Sequence, residues 1–97
     1  MPRPAWPACS GAALAKVLAD KPMALMRGHG AVVVGNSIPQ VVFRAYYAEM
    51  NARLQAEAIR LGPVTFLSDE EAAAAAKTND GVLERTWELW KRNAKTR

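Results

Sequence analysis

The one histidine of this 97-residue chain, His29, stands between two glycines, Gly28 and Gly30. An imidazole titrates near neutral pH and is a common metal ligand, so its two functional readings are metal binding and general acid–base work. Both need room around the ring. Glycine on each side supplies it, because glycine takes positive φ without steric cost and leaves bare backbone nearby. The plainer reading is a turn histidine that serves only hydrogen bonds. The other chemistries find no support. Cys9 lies in a proline-rich stretch, and no serine stands in a nucleophile-elbow pattern. Gly28, Gly30 and Gly35 lack the dinucleotide-binding spacing, and an apolar run follows Gly30 where that motif needs a helix N-terminus. A catalytic zinc takes about three protein ligands and an open position. One histidine, one remote cysteine and carboxylates mostly on helix faces do not build that site alone.

The elements that must position His29 are two apolar strands. Residues Ala24–Arg27 and Ala31–Val34, bounded by Pro22 and Gly35, are rich in aliphatic types, and Gly28-His29-Gly30 reads as the turn between them. His29 therefore sits at an exposed tip. Both strands are apolar at nearly every position, a pattern of strands covered on both faces. A two-stranded hairpin is marginal alone. The segment thus reads as a piece of a larger sheet, completed by neighbouring chains or by a further segment.

Around the hairpin the pattern is helical. Ser10 is placed to cap a short helix, Gly11–Asp20, with Leu14, Val17 and Leu18 on one face. Ser37-Ile38-Pro39-Gln40 reads as a capping box opening a long helix that Gly62-Pro63 stops. Phe43, Tyr47, Met50, Leu54, Ala58 and Leu61 follow at helical spacing, and Val42, Ala45 and Tyr46 add a second apolar side near the start. The first half is expected to be buried on two sides, with Gln55–Arg60 more solvated. Val64–Leu67 reads as a short extended piece. Ser68–Glu71 is a second capping box, opening an alanine-rich helix to about Lys77. Asp80 is placed to cap a last helix, Gly81–Lys95, with Leu83, Trp87 and Trp90 in one stripe.

Composition narrows the class. Half of the residues are apolar and the charge content is ordinary, as in globular proteins. No run approaches the roughly 20 apolar residues of a membrane span, so no membrane partner is expected. The lone Cys9 gives no disulfide framework and points to a reducing, cytoplasmic setting. The net charge of +4 resides in the tail residues Lys91, Arg92, Lys95 and Arg97. Cations there complement a helix dipole, and without interleaved aromatics no nucleic-acid partner is expected. Residues 1–10, with Pro2, Pro4 and Pro7, read as a disordered leader.

Leu25-Met26-Arg27-Gly28-His29-Gly30, Val32-Val33-Val34-Gly35 and the capped helix bearing Phe43-Arg44-Ala45-Tyr46-Tyr47 resemble the C-terminal part of the class II aldolase/adducin family. Asn51-Ala52-Arg53-Leu54-Gln55-Ala56, Val64-Thr65-Phe66-Leu67 and Trp87-Glu88-Leu89-Trp90-Lys91 resemble its decarboxylases of hydroxy-carboxymuconic semialdehyde type. The resemblance runs from about Gly11 to about Arg92. It implies an α/β (α+β) fold, the C-terminal part of a three-layer αβα domain over residues 11–97: short helix, β-hairpin, long helix, two C-terminal helices.

It also implies a function. In the family the matching histidine is the third histidine ligand of a divalent metal, usually zinc, which puts His29 in that role. The metal would act as a Lewis acid on a small hydroxy-carbonyl or carboxylate substrate and stabilise an enediolate. Aldolases and decarboxylases share that intermediate, so the resemblance does not choose between them. Arg27 is a possible contact for a substrate carboxylate; a surface strand end is the equal alternative. No catalytic residue is assigned. The family's His-x-His pair and acid–base glutamate precede this region and have no counterpart here, which leaves the metal site incomplete and suggests a truncated, split or mis-started gene. The family forms rings, commonly tetramers, so a homo-oligomer is expected, with Trp87 and Trp90 in the interface or against their own hairpin. The competing reading is a non-catalytic adducin-like interaction module or an inactive remnant.

Overall fold

The computed structural model describes residues 11–95. The expected leader, the Ser10 cap, Trp6 and Cys9 lie outside them. The described residues form two compact units that divide after Gly35. The element order matches the expected one: α1 (Gly11–Leu18), β1 (Met23–Met26), β2 (Gly30–Val33), α2 (Ile38–Leu61), α3 (Asp69–Asp80) and α4 (Leu83–Lys95). None of these helices is long and apolar enough to cross a membrane.

In the first unit α1 packs on β1. The helix ends two residues before the expected Asp20, where Ala19 enters the left-handed region at φ 48°. That conformation costs an L-residue about 1–2 kcal/mol, and backbone bonds hold it. The Ala19 N–H donates to the Ala15 carbonyl at 2.9 Å, and the Lys21 N–H to that of Leu18 at 2.9 Å. Leu14 and Leu18, one turn apart, are half-buried, but Val17 is 70% exposed. So short a helix covers only a narrow stripe.

β1 and β2 pair antiparallel, with Met23 opposite Val33, Ala24 opposite Val32, Leu25 opposite Ala31 and Met26 opposite Gly30. Successive side chains alternate between faces. Ala24, Met26 and Val32 therefore share one face; Met23, Leu25, Ala31 and Val33 share the other. Ala24 is the buried hydrophobic residue of the described chain, whereas its neighbour Leu25 is 77% exposed. The apolar pattern asks for cover on both faces; the described residues leave Leu25 open to solvent, and the sheet they form has two strands.

In the second unit α4 lies along the first half of α2. Trp90 stacks tilted on Tyr46, with ring centroids 5.0 Å apart, and on Phe43 at 6.2 Å. Phe43 and Tyr47 meet at 4.6 Å one turn apart. These separations are those of favourable aromatic pairs. Trp90 thus packs on α2 and not on the hairpin, the intrachain place expected for it. Among the described residues burial on two sides is incomplete: Val42 and Ala45 are exposed, and Tyr46 is 47% exposed although Trp90 stacks on it. The stripe also ends early. Leu54 and Leu61 lie beyond the reach of α4, and Leu61 is 91% exposed. Gly62 stops α2 at φ 145°, a conformation open to glycine.

α3 is exposed along its length, so its cap matters more than its packing. The Ser68 hydroxyl accepts from the Glu71 N–H at 3.2 Å, and the Glu71 carboxylate accepts from the Ser68 N–H at 3.0 Å. The expected capping box is complete. The helix runs to Asp80, three residues past the expected Lys77. Gly81 donates its N–H to the carbonyls of Lys77 and Thr78, and Val82 to that of Asn79. Asp80 is consequently the last residue of α3 and not the cap of α4. Val64–Leu67 is irregular and pairs with no strand among the described residues.

Candidate functional site

The tip of the hairpin is built by four residues, Met26–His29. The His29 N–H donates to the Met26 carbonyl at 3.1 Å, closing a turn through Arg27 and Gly28. Gly28 has φ 74°, the sign that a type II turn requires at its third position. Gly30 follows at φ 133° and starts β2. The turn thus takes Arg27, which the apolar pattern assigned to the strand, and gives Gly30 to the second strand. A Cβ at either glycine would meet no atom within 4 Å, so the backbone angle alone requires glycine there.

His29 and Arg27 are both exposed on this turn, two positions apart. The fold therefore displays the two side chains singled out for metal and substrate contact at one apex. It does not gather a ligand set around them: among the described residues no group of three His, Cys, Asp or Glu could hold a metal ion. A metal does not fit the described residues by themselves.

Two carboxylates have shifted acidity, and both stand on the surface of the second unit. The backbone N–H of Ser68, then its hydroxyl, hold Glu71 below the usual glutamate range. The hydrogen bond from Lys91, at 2.8 Å, and its charge do the same for Glu88. Both remain ionised, so neither is a proton donor near neutral pH. A buried polar side chain among the described residues is Gln40, which is 6% exposed. Its Oε1 accepts from the Asn36 N–H at 2.6 Å, and its Nε2 donates to Asp80 Oδ1 at 3.1 Å. Ser37 caps Gln40 as expected, at 3.2 Å, but Gln40 reaches back past the cap residue to Asn36. The capping-box spacing signals the local bond; nothing in the sequence signals the partner on α3.

Comparison with known proteins bears on the apex. The profile described as "Class II Aldolase and Adducin N-terminal domain" matches residues 4–56. That range contains α1, the hairpin and most of α2, and it begins inside the stretch read as a leader. The decarboxylase tropJ of Talaromyces stipitatus is 36% identical over 83 residues, covering 74% of this chain. The chain spans about a third of that relative's length, 31%. No solved structure matches.

Proposed function

Because the chain belongs to the class II aldolase and adducin family, we propose that it is part of a metal-dependent lyase, in which the hairpin apex presents His29 as one ligand of a zinc or other divalent ion. The observation that carries this reading is the apex itself. His29 is exposed on a turn whose two flanking glycines both have positive φ, which leaves bare backbone on either side of it. The other ligands come from outside the described residues. Arg27, exposed on the same turn, is the candidate contact for a substrate carboxylate. The substrate class is a small hydroxy-carbonyl or carboxylate compound, and the decarboxylase among the relatives favours a carboxy-lyase over an aldolase. The assembly is a homo-oligomer, which supplies cover for apolar side chains such as Leu25 and Leu61 that the described residues leave exposed.

A second reading is an interaction module without catalysis. It is favoured by the lack of a three-ligand group among the described residues. Metal binding in a completed domain separates the two. The chain is substituted for the matching segment of the Talaromyces decarboxylase, and zinc is titrated into the chimera by calorimetry. The lyase reading expects stoichiometric zinc, and His29→Ala should weaken it by more than the roughly 10–100-fold that loss of a ligand's hydrogen-bond partner costs. The unsubstituted 97-residue chain should bind zinc weakly or not at all. Equal zinc affinity with and without His29 overturns the assignment, and a folded chimera that forms stable oligomers but takes up no zinc supports the interaction module.

A further inference from the structure

We draw no further inference here: the strongest candidate, the apolar outer face of the β1–β2 hairpin around Leu25 and Ala31, is an unpartnered surface of a two-stranded sheet, and nothing in the structure shows what covers it.

Discussion

Gln40 and Asp80, forty positions apart, are joined by a hydrogen bond of 3.1 Å from the amide Nε2 to the carboxylate Oδ1. The same amide accepts from the Asn36 N–H through Oε1. One buried side chain thereby ties the first turn of α2 to the last residue of α3. Buried polar groups are stable only when so satisfied.

Replacing this amide should therefore destabilise the helical unit. Gln40→Ala removes two hydrogen bonds, each worth about 0.5–1.5 kcal/mol, and strands their partners. Urea unfolding followed by far-UV circular dichroism should show a loss of about 1–3 kcal/mol. Gln40→Glu keeps an acceptor for Asn36 but sets a second carboxylate against Asp80, so it should also destabilise the unit. Equal midpoints for wild type and Gln40→Ala would show that the bond contributes nothing.

The α3 cap predicts a dependence on pH. Ser68 holds the Glu71 carboxylate below its ordinary range, so the folded-state pKa lies under the unfolded one. The resulting stability is fully present above the unfolded value and is lost as pH falls through the folded value. Helicity should therefore drop on acidification below the ordinary glutamate range. Glu71→Gln should flatten that drop, and Ser68→Ala should cost about 1 kcal/mol at neutral pH. A helicity that stays constant on acidification would contradict the cap's contribution.

Trp90 should be the most sensitive aromatic position of α4. It stacks on both Phe43 and Tyr46, whereas Trp87 has Lys91 over its ring at 5.9 Å. Truncating a core tryptophan costs about 3–5 kcal/mol; a half-buried one should cost less, about 2 kcal/mol. Trp90→Ala should also remove most of the near-ultraviolet dichroism. If Trp87→Ala proves equally damaging, α4 has been assigned the wrong contact face.

Alanine at the turn glycines should be costly for conformational reasons alone. At Gly28, φ 74° is the left-handed region, where an L-residue loses about 1–2 kcal/mol. At Gly30, φ 133° falls outside even that region, so Gly30→Ala should do more harm than Gly28→Ala. Gly28→Asn should be tolerated better than Gly28→Ala, since asparagine adopts left-handed angles. Amide exchange of β1 and β2 reads the ranking directly, and the reverse order would show that the turn is built otherwise.

The features legible in the sequence are those closed within four or five residues. Ser68 and Glu71 specify their cap by spacing, Gly62-Pro63 ends α2, and Gly28-His29-Gly30 makes the turn. The Gln40–Asp80 bond was not legible, since no local pattern relates residues so distant. α3 outran its expected end because Thr78, Asn79 and Asp80 are weak helix formers in isolation. There the Thr78 hydroxyl bonds the Ala74 carbonyl, and the Gly81 N–H extends the ladder. Burial was the least legible property. Leu54 and Leu61 carry the right periodicity for a covered face, yet whether a face is covered depends on partners that periodicity does not name. The same holds at the apex, where the place of His29 on the turn could be read and what surrounds it could not.

The pairing of the hairpin is wholly local, from Met26 with Gly30 to Met23 with Val33. Contacts of such short sequence separation close early and quickly, in about 1–10 μs for a hairpin. The pairing around the apex is therefore specified by residues of the hairpin itself. What it lacks is persistence, because two strands alone barely hold together in water. Residence time in the folded loop, more than its shape, is what surrounding structure must contribute.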